Sequence, residues 1–188
     1  MAQLGCTVIG ASDAHGAIHA ADGLDTEALQ AHVRRGGKLT EFEGESVEAI
    51  SPEALIALAC DVFIPAALGG MLHAENADRM QCRVIVEGAN SPTTPKADEI
   101  LNDKGVHIVP DVLANAGGVV VSYFEWVQNL QHFRWSEDEV NEKLGEIMRR
   151  AYREVAERAQ DNGTPMRPAA YELGIERVVE AASTRGYI

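Results

Sequence analysis

Three short apolar runs, each followed at once by a loop of small and polar residues, constrain this chain more than any other feature. Asp61 to Ile64 leads into Pro65-Ala66-Ala67-Leu68-Gly69-Gly70, and Arg83 to Val86 into Glu87-Gly88-Ala89-Asn90-Ser91-Pro92-Thr93-Thr94. Val106 to Val109 leads into Pro110-Asp111-Val112-Leu113-Ala114-Asn115-Ala116-Gly117-Gly118. Helical signals lie between them: Ser51-Pro52-Glu53 and Thr94-Pro95 each put a capping oxygen before a first-turn proline, and Gly105 stops the second helix. An earlier run, Cys6 to Ala11, reads as a buried strand, and Asp25 can cap a helix that runs to about Arg35 and ends at Gly36-Gly37. This alternation implies βαβ crossovers and a doubly wound, mostly parallel α/β sheet of Rossmann-like type. Ligands of such sheets sit beyond the carboxyl ends of the strands.

Helices follow. One is expected from Ala116 to Gln131, and a second from Ser136, whose Glu139 has capping-box spacing. In the second, Val140, Leu144, Ile147, Ala151, Val155 and Ala159 form one packing stripe, and Gly163 ends it. A last helix is expected after Pro168, with Tyr171, Ile175, Val178 and Ala182 on one face. The organisation predicted is a partial cofactor-binding domain over residues 1–135 and a helical segment over 136–188 packing on it.

Charge excludes several partners. Sixteen Lys and Arg against 29 Asp and Glu give a formal charge of −13, which repels nucleic acid and anionic lipid. No apolar stretch reaches the ~18 residues of a membrane span, and no charged leader precedes the first apolar run, so a cytoplasmic protein is expected. Cys6, Cys60 and Cys82 lack metal or redox spacing and read as packed thiols. His15 and His19 copy a metal spacing, but they lie in a glycine-containing loop without a partnered acid, and no metal is expected. Gly36-Gly37-Lys38 falls at a helix end and lacks the phosphate-loop pattern. Trp126, Phe133 and Trp135 read as core or subunit contact.

Two places could carry chemistry. Asp13 lies just past the first strand, where a dinucleotide fold places the acid that accepts from the adenine ribose hydroxyls; it could equally be turn punctuation. The paired glycines Gly117 and Gly118 at a helix start are costly unless something approaches closely, whether a ligand or a packed sheet. Ser122, about a turn further on, could reach a ligand carboxylate or bond back to a helix carbonyl.

The segments VIGASDAHGAI, FIPAAL, VEGANSPTTP and PDVLANAGGVVVSYFEW, in this order and spacing, resemble the cofactor-binding half of glutamate dehydrogenases, in the Glu/Leu/Phe/Val dehydrogenase superfamily. The resemblance extends through the terminal RPAAYELGIERV. It implies oxidative deamination of L-glutamate to 2-oxoglutarate and ammonia, with hydride passed to NAD or NADP, in a homo-hexamer. Carried over by motif, Asp13 would hold the adenine ribose. Ala66 and Ala67 would line the adenosine and pyrophosphate path, and Asn90 and Asn115 would contact the nicotinamide ribose and carboxamide. Ser122 would bond the side-chain carboxylate of glutamate. An acid at Asp13 favours NAD over NADP.

The departures from that pattern shape the expectation. The glycine-rich GxGxxG turn and its strand do not precede Cys6 to Ala11. None of Lys38, Lys96, Lys104 or Lys143 matches the motif of the catalytic lysine, and no catalytic residue is assigned. Ser91 stands where glycine is common, and Gly69-Gly70 where a polar pair is common. The chain is therefore expected to be a carboxy-terminal piece of such an enzyme, inactive alone, its sheet altered or completed by another chain. A non-catalytic assembly module and a piece of a leucine, phenylalanine or valine dehydrogenase are the alternatives.

Overall fold

A computed structural model describes residues 1–187. The elements run β1 (Gly10–Asp13), β2 (Gly16–His19), α1 (Thr26–Arg34), β3 (Glu48–Ile50), α2 (Pro52–Ile56), β4 (Ala59–Phe63) and α3 (Ala74–Ala77). Then come β5 (Gln81–Val86), α4 (Pro95–Asp103), β6 (His107–Val109), α5 (Asp111–Ala114), α6 (Gly117–Gln131), α7 (Glu137–Asn162) and α8 (Met166–Thr184). The chain divides into two compact units: residues 1–60 with 75–81, and residues 61–74 with 82–188.

In the first unit β1, β2 and β3 form an antiparallel sheet in that order. Here the expectation from sequence needs correction, because the first strand does not join the parallel sheet. Asp13 pairs with Gly16 across a two-residue turn, and the Asp13 carboxylate accepts from the His15 N–H at 2.7 Å. That local bond closes a hairpin, so the Ser-Asp-Ala-His-Gly stretch makes strand and turn together. Glycine is required at position 16, where φ is 146° and a Cβ would stand 2.7 Å from Thr40 Cγ2. The Cys6 to Ala11 run is shifted accordingly: Val8 and Ile9 stay outside β1, though their carbonyls accept from Leu24 at 2.7 Å and Ala20 at 2.9 Å. Ile18, Ala20, Leu24, Leu29 and Leu39 form the core of this unit. Asp25 caps α1 through the N–H groups of Glu27 and Ala28, and Ser51 caps α2 through Ala54. Cys6 is exposed, against the packed thiol expected, whereas Cys82 is buried.

The second sheet has the order β4-β5-β6 and is parallel, with Val84, Ile85 and Val86 opposite His107, Ile108 and Val109. β5 buries Cys82 and Ile85, which are three residues apart and so lie on opposite faces of the sheet, and α4 adds the buried Ala97 and Leu101. Thr94 caps α4, and the expected box forms at α7, where Ser136 and Glu139 each accept the other's backbone N–H. Leu113, Val155, Ala159, Met166, Ala169 and Ala170 form a core between α5, α7 and α8. Burial of a side chain the size of Leu113, Val155 or Met166 contributes about 1.5–3 kcal/mol, and an alanine methyl less.

The helices differ from the sequence reading in two respects. α8 starts at Met166, so Pro168 sits inside its first turn, where a missing N–H costs nothing. The loop after β6 contains a helical turn, α5, because Pro110 fixes the entry angle and its carbonyl accepts from Leu113 and Ala114. The face of Tyr171, Ile175 and Val178 is exposed, and α8 packs instead through Met166, Ala169, Ala170 and Leu173. Trp126 and Phe133 are likewise exposed rather than core, whereas Trp135 stacks edge-on against buried Phe124 at 5.4 Å. No helix of the described residues is long and apolar enough to cross a membrane.

Candidate functional site

The loops that follow β4 and β5 are laced together by backbone hydrogen bonds. Ala89 N–H donates to Pro65 O at 2.9 Å, Gly70 N–H to Ser91 O at 2.8 Å, and Leu72 N–H to Pro92 O at 2.9 Å. Thr94 N–H returns to Leu72 O at 2.8 Å. The contact is close enough to select residue size. A Cβ on Gly88 would lie 3.1 Å from the Ala66 methyl, and one on Gly69 would lie 3.2 Å from the Asn90 carbonyl oxygen.

The loop after β6 joins through side chains. Asn115 Nδ2 donates to Asn90 Oδ1 at 2.7 Å, bringing together two of the residues expected to act on one ligand. Their remaining amide groups offer donors and an acceptor, which suits a carboxamide and a ribose hydroxyl. Ala66 and Ala67 lie on the adjoining loop, Ala66 against Gly88. Ser122 lies in the second turn of α6, and its hydroxyl donates back to Gly118 O at 3.1 Å. Before it can donate to a ligand carboxylate it must leave that carbonyl. Asp13 belongs to the other unit, where its Oδ1 accepts from His15 and its second oxygen is left for a further donor.

Gly117 and Gly118 open α6, and no side chain caps that helix. A Cβ on Gly118 would meet nothing within 4 Å, and one on Gly117 would meet only Leu144 Cδ1 at an ordinary 3.7 Å. Neither residue has positive φ. Packing and backbone conformation within this chain therefore give no reason for two glycines that together cost about 1–2 kcal/mol of helix stability.

Sequence reasoning missed the ionic cluster beneath these loops. Glu87 is fully buried, and its Oε1 pairs with Arg167 Nη2 at 2.6 Å while Oε2 accepts the Asp111 N–H at 2.7 Å. Arg167 Nη1 reaches Asp111 Oδ1 at 3.1 Å, and its Nε reaches Asp98 Oδ1 at 3.0 Å. The second oxygen of Asp111 accepts the Ser91 N–H at 2.7 Å, and that of Asp98 accepts from Asn102 Nδ2 at 3.1 Å. All six carboxylate oxygens thus have a partner. Burial is the largest single influence on the Arg167 guanidinium and opposes its charge. The hydrogen bonds and charges of Glu87 and Asp98 together outweigh it and hold the pKa above the ordinary arginine value. One signal was available in the sequence: a cation in the first turn of α8 faces the positive end of the helix dipole and needs compensation.

Two histidines, His19 and His32, serve local structure. His19 Nδ1 meets Glu48 Oε1 at 3.0 Å across β2 and β3, and no group of three potential metal ligands occurs among the described residues. His32 Nε2 bonds Lys38 O at 2.9 Å, and its ring would lie 2.3 Å from a Cβ on Gly37, which accounts for that glycine.

A parallel sheet that gathers three glycine-bearing loops, two of them carrying asparagine, beyond the carboxyl ends of its strands has the architecture of a nucleotide-binding α/β protein. The family follows from comparison with known proteins. The chain belongs to the Glutamate/Leucine/Phenylalanine/Valine dehydrogenase family, whose model matches residues 1–186. It is 46% identical over 187 residues to the NADP-specific glutamate dehydrogenase A1 of Halobacterium salinarum, covering 99% of this chain and 45% of that protein. It is 47% identical over 186 residues to the NAD-specific glutamate dehydrogenase of Staphylococcus aureus, covering 98% of this chain and 44% of the relative. The crystal structure of hetero-hexameric glutamate dehydrogenase from Thermus thermophilus, in its Leu-bound form, superposes with a TM-score of 0.88 at 34% identity. That match covers 98% of this chain and 43% of the other. The chain thus spans somewhat under half the length of the relatives it matches.

Proposed function

We propose that this chain is the nicotinamide-side portion of a glutamate dehydrogenase, which oxidatively deaminates L-glutamate to 2-oxoglutarate and ammonia with NAD or NADP as hydride acceptor. The observation that carries the reading is the open, uncapped start of α6 at Gly117 and Gly118, beside the bonded pair Asn90–Asn115. Free N–H groups and absent side chains suit the close approach of a flat carboxamide-bearing ring. A nicotinamide held there by Asn90, Asn115 and the start of α6 would supply the hydride acceptor.

The chain's own residues bind and orient. Asn90 and Asn115 hold ribose and carboxamide so that one ring face is presented, and Ala66 and Ala67 leave room for the rest of the dinucleotide. Asp13 accepts from the adenine ribose through the oxygen not engaged by His15 and disfavours a 2′-phosphate. Ser122 selects a substrate whose side chain ends in a carboxylate. In this reading residues 1–135 supply the NAD(P)-binding part and 136–188 its helical extension, and the complete enzyme is a hexamer. Lys38 pairs with Glu41 and Lys96 with Glu99, so neither is assigned the amine-side chemistry, and the chain alone is not expected to turn over.

Nicotinamide mononucleotide tests the reading directly, because it needs only the contacts assigned here. Titrated into the ¹⁵N-labelled chain, it should shift the side-chain amides of Asn90 and Asn115 and the backbone amides of Gly117 and Gly118. If those signals stay still at millimolar ligand while others move, the assignment of this site is wrong. The substrate assignment has a separate check in the complete enzyme. Ser122→Ala should lower glutamate kcat/KM by roughly 5–150-fold, the equivalent of about 1–3 kcal/mol, and a preference for leucine left unchanged by the substitution would reject it.

A further inference from the structure

We propose that Arg167 is a positioning residue that sets the relative placement of Asn90 and Asn115, acting through Asp111 and Glu87. Its importance for cofactor binding rests on the functional reading above, whereas the positioning itself does not. The two asparagines sit on different loops, after β5 and after β6, and their mutual bond at 2.7 Å requires those loops to keep a fixed spacing. Each loop is tied to the same guanidinium. Glu87, the first residue of one loop, pairs with Arg167 through one oxygen and takes the Asp111 N–H on the other. Asp111, in the second loop, pairs with Arg167 through one oxygen and takes the Ser91 N–H on the other. Ser91 directly follows Asn90, so the relay ends one residue from the site.

The relay also explains a conformation that would otherwise be unfavourable. Ser91 has φ 46°, in the left-handed region that non-glycine residues avoid. A charge-assisted bond from its N–H to the Asp111 carboxylate holds it there. The third carboxylate, Asp98, lies on α4 and turns its free oxygen to Asn102 within that helix. It contributes to the charge balance of Arg167 but touches neither loop. Glu87 has no exposed side-chain surface, and those of Arg167, Asp98 and Asp111 are 20%, 17% and 14% exposed, so the cluster is largely withdrawn from solvent. A planar five-donor fork can satisfy three carboxylates at fixed angles, which a lysine ammonium on a flexible stem does not reproduce.

The contrast between the arms provides the test. The side-chain amide signals of Asn115 in the ligand-free ¹⁵N-labelled chain report the Asn90 bond, with Asn90→Ala giving the unpaired reference. Arg167→Lys and Asp111→Asn should both move the Asn115 signals to that reference, whereas Asp98→Asn should leave them in place despite removing a carboxylate from the same arginine. A purely structural role would make Asp98→Asn and Asp111→Asn equivalent, and that result would overturn the proposal. Arg167→Lys with unchanged Asn115 signals would overturn it as well. Val155→Ala, which weakens the neighbouring α7–α8 core without touching the carboxylates, should leave the signals unmoved; a shift as large as that of Arg167→Lys counts against the proposal. Titration with nicotinamide mononucleotide then separates the two readings. Arg167→Lys should weaken binding about tenfold in the parent and not further in Asn115→Ala. Paired asparagines that respond to Arg167 while the parent chain ignores the mononucleotide would sustain the positioning role and reject the functional reading.

Discussion

Gly118→Ala should stabilise the chain and weaken its site, and the two effects come from the same empty space. An alanine methyl at position 118 would have no neighbour within 4 Å, and φ there is not positive, so the substitution introduces neither clash nor strain. Glycine in a helix costs about 0.5–1 kcal/mol relative to alanine, most of it backbone entropy lost on folding. For a chain of this size about 1 kcal/mol raises the unfolding midpoint by roughly 2–4 °C. Circular dichroism during heating reads that gain. If the space serves a bound nicotinamide, the methyl meets the ring or its carboxamide, and overpacking of about 1–3 kcal/mol weakens binding roughly 5–150-fold. Competition titration with nicotinamide mononucleotide measures that loss. A variant that melts higher and binds equally well would refute the argument that the space exists for a ligand. A variant that melts lower would refute the argument that the glycine is dispensable to the helix.

Other expectations follow from particular contacts. Ser91→Gly relieves the left-handed strain of about 1–2 kcal/mol at the cost of about 0.5–1 kcal/mol of added backbone freedom. It should therefore raise stability slightly in urea titrations, and a decrease would show that the serine side chain contributes something the structure does not display. Glu139 is held below the ordinary glutamate pKa by the Ser136 N–H and hydroxyl. Its share of stability is accordingly present above the unfolded-state pKa and is lost as pH falls through the folded one. Thermal midpoints of the parent and Glu139→Gln should converge in acid and diverge toward neutrality, and parallel curves would contradict the capping assignment. Asp13→Ala in the complete enzyme should shift preference toward NADP, as measured by the ratio of kcat/KM for the two cofactors.

Local chemistry was readable from the sequence, and distant chemistry was not. The caps at Asp25, Ser51, Thr94 and Ser136 depend on groups two or three residues away, and each was identified from the order of residues alone. The three site loops were equally visible, because a parallel strand must end somewhere and these strands end in small residues and asparagine. The β1–β2 hairpin was misread because a polar Asp-x-x-Gly stretch serves equally as a loop and as the turn of a hairpin, and the deciding partner is the later strand β3. The apolar face of α8 is legible as a face, but periodicity finds such a face without saying whether anything covers it. Arg167 lies 80 positions from Glu87 and 56 from Asp111, so no pattern along the chain could join them.

The closed circuit around Arg167 has a consequence for the medium in which the protein works. Dissolved ions weaken attractions between charges that water can reach, as in the outward-facing pair Lys96–Glu99. They reach a fully enclosed carboxylate far less, and Glu87 has no exposed surface. Asn90 and Asn115 should therefore stay aligned from dilute buffer to brine, while the −13 net charge of the molecular exterior is progressively masked.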